Sequence, residues 1–305
     1  METVSIDFGK PCRVYFIGIG GVSMSGLAEI LQKEGFTVSG SDARESAFTE
    51  QLGARGIQVY IGQRRENLSA PVDYVVYTAA IHPDNPEFLE AKRLGIPMLS
   101  RAELLGQLMR CYRESIAVSG THGKTTTTSM LSHILLTAEK DPTISLGGNL
   151  DAIGGNIRVG GSETFLLEAC EYTNSFLSFF PTLEIILNIE ADHLDFFKDL
   201  DDIRRSFRRF VQRMPENGTL VIDNRIRDYR EIVGDFKGRV STVGTEEADY
   251  YPTELRFDER GNAAFTPVEH GKALPRIQLA VPGEHNVYNA LAALAACRLL
   301  GIPAE

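Results

Sequence analysis

Apolar and polar positions alternate in blocks along this chain. Residues 13–19 are apolar and β-branched, turn through glycines and give way to residues 24–34, where apolar side chains recur at helical spacing. Residues 36–39, Gln58–Ile61 and Tyr74–Tyr77 read as further strands, Pro86–Leu94 as a helix and residues 98–99 as a short strand. Strand–helix alternation predicts a parallel sheet joined by crossover helices, and this first domain is expected to span residues 1–110.

The pattern then restarts. Residues 115–118 form an apolar strand that enters a second glycine turn and a helix over 125–137. Strands are expected at 163–168, 184–188, 219–222 and 240–243, with helices at 200–213 and 287–300. Residues 250–279 lack helical periodicity and carry turn signals such as Glu259-Arg260-Gly261-Asn262, which predicts a small antiparallel excursion. The second domain is expected to span 111–305, and Gly301 and Pro303 read as stop signals at a domain border.

A chain of 305 residues has room for two such cores, and its 43% hydrophobic and 24% charged content is that of a globular protein. A formal charge of −10 argues against a general nucleic-acid binder, but not against a phosphate ligand held by local backbone amides. Cys12, Cys111, Cys170 and Cys297 lack metal or disulfide spacing and read as separate buried residues of a reducing compartment. The N-terminal stretch does not read as a secretory signal, and residues 290–302 are too short and too interrupted by Arg298 to span a bilayer, so a cytoplasmic protein is expected.

Two glycine turns carry the candidate chemistry. Gly18-Ile19-Gly20-Gly21-Val22-Ser23-Met24-Ser25-Gly26 follows a strand and opens a helix, where free N–H groups favour an anion. Ser23 stands where a dinucleotide fingerprint has its last glycine, whereas Asp42 lies where a ribose ligand would. A diphosphate ligand, a dinucleotide and a purely structural turn all remain open here. The second turn, Ser119-Gly120-Thr121-His122-Gly123-Lys124-Thr125-Thr126, has the strand-to-helix setting of a phosphate-binding loop. Lys124 would reach the β- and γ-phosphates and Thr125 would place its hydroxyl on Mg²⁺. Val118 occupies the place of the usual leading glycine.

Three further constellations follow. Glu168 ends an apolar strand, pointing to a ligand crevice or a surface strand end, with Glu171 three residues later. His193 lies between Asp192 and Asp195, as a metal or phosphate contact or as a solvated residue, the two aspartates reading equally as helix starts. Asn286 and Asn289, beside His285, read as nucleoside contacts or as helix caps.

The order of these motifs resembles that of the Mur ligases. The GIGGVSMSGLAE stretch, Thr78-Ala79-Ala80-Ile81 and Asp84-Asn85-Pro86-Glu87 are most similar to the alanine-adding branch of that family. The resemblance implies an α/β fold: a Rossmann-like parallel-sheet domain that binds the UDP-sugar, then a P-loop mononucleotide-binding α/β domain. Gly20, Gly21, Ser23 and Ser25 would hold the diphosphate, while Asp42, Thr78, Ala79 and Ala80 would lie on the uridine side. Gly120, Thr121, His122, Gly123, Lys124, Thr125 and Thr126 would bind ATP, with His285, Asn286 and Asn289 at its adenosine. Thr125, Glu168 and His193 would ligate Mg²⁺, and with Lys124 they are the expected catalytic residues. The implied reaction joins UDP-N-acetylmuramate to L-alanine through an acyl phosphate, at the expense of ATP, in peptidoglycan precursor biosynthesis.

The sequence departs from the family pattern in three ways. Arg208 stands near the place of a carbamylated lysine in several siblings, as the alanine-adding branch also lacks one. Glu168-Ala169-Cys170-Glu171-Tyr172-Thr173 replaces the commoner Glu-Ala-Asp-Glu-Ser-Asp, which leaves Glu171 without a role. The family's third domain, which helps bind ATP and amino acid, has no counterpart in these residues, so the fragment alone is expected to turn over little. A muropeptide-recycling ligase, a non-catalytic UDP-sugar or ATP-binding fragment and a nicotinamide dehydrogenase are the competing readings, the last opposed by Ser23 and by the second loop.

Overall fold

A computed structural model describes residues 4–305; of the N-terminal stretch read as lacking a signal, residues 1–3 lie outside the described part. The chain divides into two compact units, one of residues 1–111 with 156–159 and one of residues 112–155 with 160–305.

In the first unit, strands β1 (Arg13–Ile17), β2 (Thr37–Asp42), β3 (Gln58–Ile61), β4 (Tyr74–Tyr77) and β5 (Met98–Ser100) form one sheet in the order β3-β2-β1-β4-β5. Every pairing in it is parallel. The order reverses between β1 and β4, and a crevice for a ligand opens beyond the carboxyl ends of strands at such a switch point. Helices α1 (Val22–Lys33), α2 (Ala47–Ala54), α3 (Pro86–Leu94) and α4 (Arg101–Met109) connect and flank the strands. Their starts follow local chemistry. The Ser46 and Ser100 side chains each close a capping box, with Thr49 and Glu103, and Asn85 caps α3 ahead of Pro86.

The second unit contains β6 (Glu114–Ser119), α5 (Lys124–Thr137), β7 (Thr143–Leu150), β9 (Thr164–Glu168), β10 (Leu183–Ile186), α6 (Leu200–Val211), β11 (Thr219–Asp223), α7 (Tyr229–Val233) and β12 (Arg239–Val243), while β8 (Gly155–Arg158) falls, but for its first residue, in the segment grouped with the first unit. Strands β13 (Tyr250–Phe257), β14 (Asn262–Glu269), β15 (Lys272–Ala273) and β16 (Ile277–Pro282) precede α8 (His285–Leu299). Its sheet runs β15-β14-β13-β12-β11-β10-β6-β9-β7, parallel from β12 to β7. The expected antiparallel excursion is there: β13, β14, β15 and β16 pair antiparallel at one end. Leu131 and Leu135 of α5 and Leu291, Ala292, Ala295 and Ala296 of α8 are buried in one core with Ile116, Val118 and Ile185 of the sheet. The central strands are buried on both faces and mostly apolar, as a covered parallel sheet requires, with Ser115, Ser119 and Glu184 as buried polar exceptions.

Two expectations need correction. The four cysteines are free, but only Cys297 is buried; Cys111 and Cys170 are exposed because they lie just past the ends of α4 and β9 rather than inside them. Asp192 and Asp195 start no helix, since α6 begins five residues further on and Asp199 is its cap. No helix among the described residues is long and apolar enough to cross a membrane.

Candidate functional site

Three segments of the second unit converge because their strands are neighbours. β6 lies between β9 and β10, so the turn after β6, the carboxyl end of β9 and the loop after β10 share one edge of the sheet. The turn after β6 takes conformations that favour glycine, with Gly120 at φ +138° and Gly123 at φ +84°. Gly123 is the N-cap of α5, no side-chain cap hydrogen bond is made there and no acidic residue lies in its first turn, so its first amides are left for an anion. A Cβ at position 123 would approach the Asn289 Oδ1 to 2.6 Å, so glycine is also a packing requirement.

The loop is held from a neighbouring strand. The His122 N–H donates to the Asn188 Oδ1 (2.7 Å), and the Asn188 Nδ2 donates back to the His122 carbonyl (2.9 Å). The Thr121 N–H reaches the Asn188 carbonyl at 3.2 Å, and the Glu190 N–H donates to the Thr121 hydroxyl at 2.9 Å. Lys124 folds across this frame, its Nζ donating to the carbonyls of Gly120 (2.5 Å) and Thr121 (3.1 Å) and to the Glu171 Oε2 (3.0 Å). Glu171, left without a role by the sequence, is the buried counter-ion of that lysine at 2% exposure.

The Thr125 hydroxyl donates to the Glu168 Oε1 at 2.7 Å, and the second carboxylate oxygen accepts the Gly147 N–H. Gly147 and Gly148 of β7 leave room for this pair, since a Cβ at 147 would meet the Glu168 carboxylate at 2.7 Å. The hydroxyl-rich start of α5 serves the helix more than the loop. Thr128, Ser129 and Ser132 donate to the carbonyls four residues before them, and only Thr125 turns to a carboxylate.

His193 has a left-handed backbone (φ +52°), with its N–H on the Asp192 Oδ1 at 2.7 Å and its carbonyl taken by the Phe196 and Phe197 amides. Its ring lies 4.5 Å from that of Tyr172, whose hydroxyl donates to the Asp195 Oδ2 at 2.8 Å and is thereby pushed above the usual phenol range. Among the described residues no three His, Cys, Asp or Glu side chains are grouped closely enough to hold a metal. The Thr125–Glu168 pair nevertheless presents two hard oxygens, the donor type magnesium accepts together with water and phosphate oxygens.

Beside the loop a cleft of about 640 Å³ is lined by His122, Gly123, Asn188, Arg225, His285, Tyr288 and Asn289. Asn286 and Asn289 lie inside α8 rather than capping it. The Asn286 Nδ2 donates to the Pro282 carbonyl and the Asn289 Nδ2 to the Asn286 Oδ1. His285 is the exposed first residue of the helix. Sequence reasoning missed the cleft's other wall. The Arg225 guanidinium lies 3.2 Å from the Tyr288 ring centroid and is held by Asp223 at 2.6 Å. The signal was a carboxylate at the end of an apolar strand, as at Glu168.

The first unit has its own turn at the switch point. The Gly18 and Ile19 amides both donate to the Ser41 carbonyl at 2.8 Å, and the Gly20 N–H donates to the Asp42 Oδ2 at 2.9 Å. Gly21 is the N-cap of α1, which has no side-chain cap and no acidic residue in its first turn. Ser23 accepts from the Arg101 Nη1 at 3.1 Å, whereas Ser25 is buried with its hydroxyl on the Val22 carbonyl. Thr78 follows β4 and packs over Gly18, whose added Cβ would meet it at 2.9 Å; Ala79 and Ala80 beside it are exposed.

Both halves of this arrangement have known counterparts. The family model "Mur ligase family, catalytic domain" matches residues 13–113, and "Mur ligase middle domain" matches residues 118–297. A UDP-N-acetylmuramate–L-alanine ligase of Agathobacter rectalis is 57% identical over 98% of this chain, and one of Acetivibrio thermocellus is 52% identical over all of it. The chain spans 66% of the length of each of these relatives. Among solved structures, the UDP-N-acetylmuramate–alanine ligase of Thermotoga maritima superposes with a TM-score of 0.78 at 32% identity, over 95% of this chain and 65% of that one. The UDP-N-acetylmuramate:L-alanyl-γ-D-glutamyl-meso-diaminopimelate ligase of Neisseria meningitides gives 0.85 at 30% identity, over 97% and 96%. With one family model on each glycine turn and the same fold in both solved ligases, the chain belongs to the Mur ligase family.

Proposed function

We propose that this chain is the UDP-sugar- and ATP-binding part of a cytoplasmic ligase that joins UDP-N-acetylmuramate to L-alanine. The observation that carries the reading is the group at the head of α5: Lys124 beside the loop carbonyls and, 2.7 Å apart, the Thr125 hydroxyl and the Glu168 carboxylate. The 57% identity to an alanine-adding relative supports L-alanine as the amine over a ready-made peptide.

A carboxylate does not condense with an amine unaided. In the proposed reaction a carboxylate oxygen of the sugar attacks the γ-phosphorus of ATP, the bond to the β-phosphate bridging oxygen breaks, and ADP leaves. The alanine nitrogen then attacks the carbonyl carbon of the acyl phosphate, the carbon–oxygen bond breaks, inorganic phosphate departs, and the nitrogen loses a proton. The amides of Gly123, Lys124, Thr125 and Thr126 and the Lys124 ammonium would hold the triphosphate and spread the charge of the transferred group. Thr125 and Glu168 would hold Mg²⁺, with His193 as the third protein ligand, and the ion would supply charge neutralisation between the two anionic reactants. His285 and Asn289 would line the adenosine end of the cleft, with Asn286 holding Asn289 from behind. In the first unit, Gly20, Gly21 and Ser23 would face the diphosphate and Asp42 and Thr78–Ala80 the uridine, with Ser25 supporting the turn from within.

Calorimetric titration with Mg–ATP tests the core of this reading. Lys124→Ala should weaken binding by roughly tenfold or more, about 1.4 kcal/mol per decade. Equal affinities in the two proteins would remove the phosphate-loop assignment.

A further inference from the structure

Glu87 is fully buried in the first unit, in the first turn of α3. Such a carboxylate is tolerated only when donors replace its water, and four do so from three separate stretches of chain. Its Oε1 accepts from the Tyr15 hydroxyl of β1 (3.0 Å), the Arg64 N–H (3.2 Å) and the Asn67 Nδ2 (2.6 Å). Its Oε2 accepts from the Ser41 hydroxyl of β2 at 2.5 Å.

What these partners touch next is informative. The carbonyl of the same Ser41 receives the Gly18 and Ile19 amides, so the glycine turn hangs from the residue that Glu87 grips. Asp42, which takes the Gly20 amide, is fixed through its own carbonyl by the Gly62 N–H at 2.8 Å. The Gly62 carbonyl in turn accepts from the Asn67 Nδ2 at 3.0 Å, and Asn67 is again bound to Glu87. Both residues that shape the turn are therefore tied, one directly and one through Gly62 and Asn67, to a single carboxylate.

We propose that Glu87 is a positioning residue for the UDP-sugar site: it fixes the backbone of Ser41 and Asp42, and these set the glycine turn against the diphosphate. The proposal rests on the UDP-sugar reading of the first unit. The Glu87 carboxylate bonds to Tyr15, Ser41, Arg64 and Asn67 and not to the glycine turn itself. A turn held in one shape before binding loses less freedom on binding, so slackening the tie lowers affinity without removing any ligand contact.

Replacing Glu87 would strip four donors at once and invite unfolding, so the test removes one donor at a time from the whole chain. Ser41→Ala cuts the tie that leads to the turn. Tyr15→Phe removes a donor on β1 whose bond goes to Glu87 and not to the backbone of Ser41 or Asp42. Calorimetry with UDP and with UDP-N-acetylmuramate is paired with melting curves and with ADP–Mg²⁺ titration as a control on the second unit. Both variants are expected to melt lower. Only Ser41→Ala should lose UDP-ligand affinity, by roughly tenfold, with Tyr15→Phe within about twofold of the parent and ADP affinity unchanged in both. Unchanged UDP affinity in Ser41→Ala, or losses in both variants that follow their melting temperatures, would reduce Glu87 to a fold-stabilising residue. If the unaltered chain binds neither UDP ligand, the UDP-sugar reading falls and takes this inference with it.

Discussion

Glu184 lies at the centre of β10 with no exposure, one oxygen 3.5 Å from the Ser119 hydroxyl and the other without a partner among the described residues. Burial pushes its carboxyl well above the usual range. The fold therefore keeps a proton that the unfolded chain releases near pH 4.3 (about the value for a free glutamate). Between these two values the folded state binds more protons, so stability is full below the unfolded value and falls as pH rises toward and through the folded one. Glu184→Gln removes this titration. Melting curves across pH should show a downward slope of at most about 1.4 kcal/mol per pH unit in the parent, flattened in the variant. Parallel curves would mean that Glu184 does not titrate between the two states. The candidate site shows the same contrast between what sequence can and cannot specify. Lys124, Thr125 and Glu168 were legible because each sits at a strand or helix end, where ligand chemistry is expected. The roles of Glu171 and Asn188 were not, because they lie in contacts to residues 47 and 66 positions away.

At the scale of elements, the strands were read well because those of a covered parallel sheet are short apolar runs. Of the helices read from spacing, α3 and α6 start where expected, whereas α1, α5 and α8 begin one or two residues earlier, at Val22, Lys124 and His285. Three helices escaped, among them α7, a single short turn of five residues. α2 has only Ala47, Phe48 and Leu52 as apolar anchors beyond its final alanine and contains Gly53, so its periodicity is faint. α4 had a legible signature, Ser100 followed by Glu103 before Leu104, Leu105 and Leu108. In β7 the glycines at 147 and 148 hide the strand pattern, and the structure explains them by the room that Glu168 and Thr125 need. The cap at Ser100 carries its own expectation. Its hydroxyl accepts the Glu103 N–H, and the Glu103 carboxylate accepts the Ser100 N–H at 2.7 Å. Ser100→Ala should destabilise the first unit by about 1 kcal/mol, measured by chemical denaturation, while Mg–ATP affinity stays at its parental value.

For the molecule as a whole, two separate cores and two uncapped glycine-turn helices predict two ligand responses. In hydrogen exchange, UDP-N-acetylmuramate should slow amides around residues 18–25 and 40–42, and Mg–ATP should slow those at 120–127, each ligand acting on its own unit. NADH should slow neither. Protection of both turns by one nucleotide alone would contradict the division of labour. The clasp that Asn188 forms on both backbone groups of His122 has a further consequence for this second turn. A loop cinched from outside does not need every bend written into its own residues, so Val118 can belong to the apolar interior instead of providing flexibility. The fingerprint is divided between two places on the chain, and a substitution at 188 would damage the triphosphate cradle while leaving its recognisable motif intact.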